Sequence, residues 1–202
     1  MSVRFITPLA RLSYPHLDKP TVNKSAQTDA GKAPKYSTAL LFDAKTDLTK
    51  LRAAIVEAAT EKFGTTFKGK TIAQAIDQGL IKTPLHDDWA AKNYPEGTRY
   101  LNARSSEQPV CVYSTPDPSD PSGKKPLRIP QDKLRSDLYA GAFVLASISF
   151  FGFSNSGNTG VGVGLNNVQK RGDGERLDNH LSSEDEFDVD LSQPAPSLED
   201  IV

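Results

Sequence analysis

One cysteine, three histidines and one tryptophan among 202 residues leave little material for several kinds of chemistry. Cys111 alone cannot close an intrachain disulfide, which suits a reducing compartment. His16, His86 and His180 are scattered without the spacing of a structural zinc site, so no metal or other cofactor is expected. No apolar run approaches the roughly 20 residues that span a bilayer. The N-terminus, MSVRFITPLARLSYP, alternates like a strand and carries neither a long apolar region nor a small-residue cleavage site, so no export leader is read there. Catalytic signatures are also missing: there is no Gly-x-Ser-x-Gly elbow, no Walker loop and no histidine pair at helical spacing. Gly160-x-Gly162 lies inside a strand pattern with no helix behind it, so it is not a dinucleotide fingerprint. Catalysis is therefore not expected.

Charge is balanced only in the total, at a net of -1. Eight acidic residues and no Lys or Arg fall between Leu177 and Val202, which leaves 17 acidic against 24 basic residues in the first 176. The chain is a basic body, 1–176, followed by an acidic tail, 177–202. A surplus of seven positive charges invites a polyanion, and an acidic tail can compete for the same groove or recruit other proteins. The tail's isolated Leu181, Phe187, Leu191, Leu198 and Ile201 among charges read as disorder with short hydrophobic anchors.

What is present is strand pattern. From Tyr139 to Lys170 the sequence reads as a hairpin: Val144, Ala146, Ile148 and Phe150 form one apolar face, and Phe143, Leu145, Ser147, Ser149, Phe151 and Phe153 the other. Ser154 to Asn158 is a turn signal. The return strand carries Gly160, Gly162 and Gly164, a stripe without side chains that predicts a sharp bend or close approach by a ligand or another backbone. Three phenylalanines among hydroxyls suit a surface that stacks flat rings.

Elsewhere, Val3–Tyr14 reads as a strand in which Pro8 demands an edge, a bulge or a break, and Lys35–Asp43 as a central strand. Pro15–Pro34 reads as a long loop with Lys19, Lys24 and Lys32, and Ser114–Pro130 as a second basic, proline-rich loop. Asp47–Phe63 is a helix with a stripe of Leu48, Leu51, Ile55, Ala58, Ala59 and Phe63. Thr71–Gln78 is another, opened by a Thr71/Gln74 capping box and stopped at Gly79. Trp89 is expected to plug the core. Thr98–Tyr113 is a strand with a break, or two strands, with Tyr100, Asn102 and Arg104 on one face. These elements suit a mainly β (α+β) chain: an OB-fold-like barrel of five to six strands with a two-helix insertion, long basic loops and a disordered acidic tail.

Stacking rings and loop lysines grip a flexible polyanion without catalytic groups, which points to single-stranded nucleic acid. Neither helix is basic enough to enter a duplex groove. Two alternatives remain open. Asp43-Ala44-Lys45 matches half of a metal-dependent nuclease site, with Asp29 as the second carboxylate, although a turn into the helix also explains it. A protein-protein adaptor would use the aromatic strand as its interface.

Tyr100-Leu101-Asn102-Ala103-Arg104-Ser105, Tyr139-Ala140-Gly141 before the aromatic strand, and Gly160 to Lys170 followed by Asp173-Gly174-Glu175 together resemble a family of tailed-bacteriophage single-stranded DNA-binding proteins. The resemblance implies an OB-fold, sequence-tolerant single-strand binding, and work in phage DNA replication or recombination in the cytoplasm of the bacterial host. Replication or recombination proteins docking on the acidic tail, and a homo-oligomer, stay open as further partners. On these motif positions and the alternation, the candidate DNA-binding residues are Lys35, Tyr36, Tyr100, Asn102, Arg104, Phe151, Phe153, Lys170 and Arg171.

Overall fold

Pro8 does break the first strand, and the break sets the architecture. The computed structural model describes residues 2–22, 33–155 and 157–177. In chain order it contains β1 (Val3–Ile6), β2 (Ala10–Thr21), β3 (Lys35–Phe42), α1 (Thr49–Phe63), β4 (Thr66–Phe67), β5 (Lys70–Thr71), α2 (Ile72–Asp77), β6 (Leu85–His86), β7 (Arg99–Ser105), β8 (Val110–Pro116), β9 (Pro126–Arg128), α3 (Leu134–Asp137), β10 (Phe143–Asn155) and β11 (Asn158–Gly172). β1 pairs antiparallel with β10 from Val3↔Phe150 to Ile6↔Ser147, and β2 pairs with the start of β10 at Ala10↔Val144. Between them Thr7 is buried and closes the gap: its N–H donates to the Ala146 carbonyl and its hydroxyl accepts from the Ala146 N–H. One bent strand thus stays on β10 across the break.

Following the hydrogen bonds, β2 pairs with β3, β3 with β7, β7 with β11 in parallel, β11 with β10, and β10 returns to β1 and β2. The ring closes. It is the expected OB-fold-like barrel, its first strand split at Pro8 and its third split between β7 and β8. β8 resumes parallel pairing with β11 at Asn167↔Val110. The main sheet has nine strands, more than the five or six expected, because each split counts one strand as two and because β6 pairs on β7 and β9 on β8 outside the ring.

The alternation read in the hairpin is realised. Val144, Ala146, Ile148 and Phe150 are fully buried, facing Leu12, Leu40, Phe42, Leu101, Ala103, Val161, Val163 and Leu165 inside the barrel. Each larger side chain among them, Ile148 or Phe150 for example, contributes roughly 1.5–3 kcal/mol when taken from water. α1 packs on one part of this core with Leu51, Ala54, Ile55, Ala58 and Ala59. The Asp47 carboxylate accepts from the Thr49 N–H at its start, and Gly64 (φ 83°) ends it. Gly152 makes the docking close, since a Cβ there would lie 2.4 Å from the Lys62 Cβ. α2 opens on the expected capping box: the Thr71 hydroxyl accepts from the Gln74 N–H and the Gln74 side chain accepts from the Thr71 N–H.

Three expectations need correction. β2 runs to Thr21, well into the stretch read as loop, because a register shift between Ser13 and His16, with Tyr14 at φ 45°, lets it continue past Pro15. Ser114–Pro130 is not all loop: β8 reaches Pro116 and pairs with β9, forming an arm. Trp89 is no core plug; it sits half-buried in a short 3-10 turn, Trp89–Lys92, outside the core. The tail from 178 onward and loop residues 23–32, with Lys24, Asp29 and Lys32, lie outside the described residues.

Candidate nucleic-acid interface

The glycine stripe is a bed for an aromatic ring. On the outer face of β10, Phe151 pairs with Gly162, and a Cβ added to Gly162 would meet the Phe151 ring at 2.7 Å. The same ring comes within 3.9 Å of where a Gly164 Cβ would be. Bare backbone thus lets the ring of one strand lie across the next, with 41% of the residue still exposed. Phe153 does the same over Gly160, half-buried, 3.1 Å from that glycine's added Cβ. Gly160 also admits another backbone: its added Cβ would be 2.9 Å from the Lys82 carbonyl, which accepts from the Val161 N–H. The close approach expected of the stripe is therefore made by Phe151, Phe153 and Lys82.

Gly164 is in register with Arg104 on β7, so the Phe151 ring points along a surface where Arg104 and Asn102 are both exposed. Toward β2 the open surface is interrupted: Ala39, opposite Asn102, and Ser13, opposite Ala39, are both buried, and the Tyr94 hydroxyl donates to the Ser13 hydroxyl. The next residue, Tyr14, is 69% exposed in its left-handed conformation. It is a second exposed ring, separated from Phe151, Asn102 and Arg104 by that covered stretch. Sequence reasoning missed Tyr14, since the strand bulge that exposes it has no local signal beyond the following proline. At the bulge between Ser147 and Ile148 on the hairpin, the Asn166 amide donates to the Ser149 hydroxyl, 2.8 Å, fixing the platform's rim.

The other candidates separate. Tyr100 shares the outer face of β7 with Asn102 and Arg104 but is 3% exposed. Residues 86–94 cover it: His86 stacks on its ring at 4.9 Å, Tyr94 meets it edge-on at 5.4 Å, and its hydroxyl donates to Asp88 Oδ1 at 2.7 Å. Burial and that carboxylate push the phenol pKa up, and the same bond pulls Asp88 below its ordinary value. Lys35 is exposed at the start of β3, and Tyr36 is half-buried beside it. Lys170 lies elsewhere. Opposite the buried Val144, it pairs with Asp173 at 2.7 Å and sits 6.0 Å from the Tyr139 ring. Arg171 next to it is exposed.

Asp43-Ala44-Lys45 is a turn, its Asp43 carboxylate accepting from the Lys45 N–H at 2.7 Å. Among the described residues no group of three His, Cys, Asp or Glu side chains could hold a metal ion. No helix among them is long and apolar enough to cross a membrane.

With the barrel and platform in view, comparison with known proteins is decisive. A family model described as Enterobacter phage Enc34, ssDNA-binding protein, matches residues 3–197. The chain belongs to that family. It is 29% identical over 190 residues to protein p50 of Acyrthosiphon pisum secondary endosymbiont phage 1, covering 90% of each chain. Among solved structures, the Enc34 single-stranded DNA-binding protein in complex with ssDNA superposes with a TM-score of 0.62 at 23% identity, over 87% of this chain and 90% of that one. The single-stranded DNA-binding protein gp2.5 of bacteriophage T7 gives 0.55 at 14% identity, over 89% and 97%. The barrel of this family member is thus shared with proteins whose sequences have diverged widely.

Proposed function

We propose that this family member is a sequence-tolerant single-stranded DNA-binding protein, without catalytic activity, that coats phage replication or recombination intermediates in the cytoplasm of the bacterial host. The observation that carries it is the Phe151 ring, exposed on its glycine bed and aligned with Arg104. A base offers a flat face to such a ring, and stacking is worth about 1–3 kcal/mol per base whatever its identity. The guanidinium of Arg104 supplies the charge for a neighbouring phosphate. Membership of a family named for ssDNA binding, and the barrel shared with the Enc34 protein solved with ssDNA, support the same function.

The contact set we propose is Phe151, Phe153, Asn102, Arg104, Tyr36 and Lys35, with Tyr14 added and Arg171 at the rim. Tyr100 acts as support beneath the platform, and Lys170 acts on DNA only in exchange for Asp173. The tail from 177 onward competes with DNA for the basic surface and docks replication or recombination proteins, and copies associate along the bound strand. Titrating the full chain into fluorescent poly-dT, with unlabelled duplex as competitor, at two salt concentrations, and with EDTA or magnesium, tests this. Tight, salt-weakened binding that duplex barely competes, with the strand left intact, is expected. Absence of binding even at low salt and without the tail overturns it. Deleting 177–202 is expected to raise affinity at low salt; an unchanged affinity removes the competition.

A further inference from the structure

Beyond the platform the same strand leads into a cleft that the contact set does not use. Four residues after Arg104, Gln108 stands at its mouth, a distance the backbone spans in at most about 14 Å. On β11 the two places are Gly164 and Asn167, the partners of Arg104 and Val110, three residues or about 10 Å apart. A strand lying on the platform therefore reaches the cleft within a few nucleotides.

The cleft is built. It encloses about 310 Å³ between β8 and the Arg128–Leu134 segment, at the small end of ligand pockets. Its floor is apolar and buried, formed by Cys111, Ile129 and Leu134. Its rim is polar and fixed: the Gln108 amide nitrogen donates to the Leu17 carbonyl at 3.1 Å and to Gln131 Oε1 at 2.9 Å, and the Gln131 amide nitrogen donates to the Asp18 carbonyl at 3.1 Å. Among the described residues nothing donates to Gln108 Oε1, which leaves an acceptor on an immobilised side chain. Arg128 is exposed at the edge and Val110 is 38% exposed beside it. Outward of Arg128 the arm ends in a turn that is ordered, because the Asp120 carboxylate accepts from the N–H groups of Lys124 and Lys125 at 3.0 and 2.8 Å. Both lysines are exposed.

An apolar floor under a rim of amide and guanidinium matches a nucleobase, which is flat and apolar on its faces and polar at its edge. The adjoining cations match a phosphate. We propose that this cleft is a second nucleotide subsite, taking one base of a single strand that runs off the platform, with its phosphate toward Arg128 and the arm. The proposal rests on the platform being the single-strand interface.

Photo-crosslinking distinguishes the two. Oligo-dT carrying one 4-thiothymidine, moved position by position, is bound to the full chain, irradiated and mapped by peptide mass spectrometry. One position is expected to crosslink within Gln108–Leu134 and another, a few nucleotides away, within the β10–β11 hairpin. Val110→Trp, which fills the cleft from an exposed position, and Arg128→Ala each remove the first crosslink and keep the second. They weaken binding of the longer oligonucleotides about three- to tenfold and spare the shortest that bind. Crosslinks confined to the hairpin, with both variants unchanged in affinity, overturn the subsite and leave the platform standing. No retention of any oligonucleotide by the wild-type chain overturns both.

Discussion

Phe151 and Tyr100 are both aromatic residues pointing outward from neighbouring parts of one barrel, and they end in opposite environments. Phe151 rests on glycines and keeps 41% of its surface. Tyr100 is roofed by His86 and Tyr94 and keeps 3%. Strand alternation tells only which side of the sheet a ring leaves from. Whether it meets solvent is settled by what else reaches that side: for Phe151 the facing strand brings only Gly162 and Gly164, and for Tyr100 a segment 6–14 residues upstream closes over it. The platform is thus a place where the described residues leave the sheet uncovered, beside a place where they do not.

Removing the buried ring is expected to have the largest effect. Tyr100→Ala should cost about 3 kcal/mol of stability, read as a lower urea midpoint, because a filled outer pocket is emptied. Phe151→Ala should leave stability within about 0.5 kcal/mol of wild type. Equal losses for the two would erase the distinction between support and platform. Next in size, Gly162→Ala puts a methyl where the Phe151 ring lies and should lower poly-dT affinity roughly tenfold, the equivalent of one lost stack. In Phe151→Ala the same glycine substitution should add almost nothing, since no ring remains to displace; an additive loss would mean that the glycine serves DNA directly. Arg104→Ala should then reduce the slope of log affinity against log salt by about 0.7, one phosphate on a single strand. The smallest effect concerns acid. Asp88 is held below its ordinary 3.8 mainly by the Tyr100 hydroxyl. A carboxylate whose pKa is lower folded than unfolded stabilises the fold above the unfolded value, and that support drains away as pH falls through the folded one. Wild type should therefore lose urea resistance more steeply than Tyr100→Phe from pH 5 downward, and parallel curves would show the bond to be idle.

Elements governed by local rules were legible in the sequence. The period of two in Val144–Phe150, the Thr71/Gln74 box and the glycines at every second position of β11 each state their structure within a dozen residues. The barrel followed from their order. What was hidden depends on distant partners. Nothing near Tyr100 announces the cover from His86 and Tyr94, and nothing near Lys170 announces that facing Val144 turns it toward Asp173. The arm was masked by its prolines: Pro116 and Pro126 face one another at its end, where a missing N–H costs an edge strand little. Tyr14 was masked by a bulge that only the pairing of β2 with β3 reveals. In the site, then, residue types and strand faces could be read, while exposure could not.

The glycine bed also bears on motion. Relief on that part of the surface comes from backbone and from rings with two torsions each, so little side-chain rotamer freedom is left to be frozen when something settles there. The rings of Phe151 and Phe153 are seated against Gly162 and Gly160 by close contact. In the proposed contact set a base would therefore meet rings already in position, at a small cost in side-chain order.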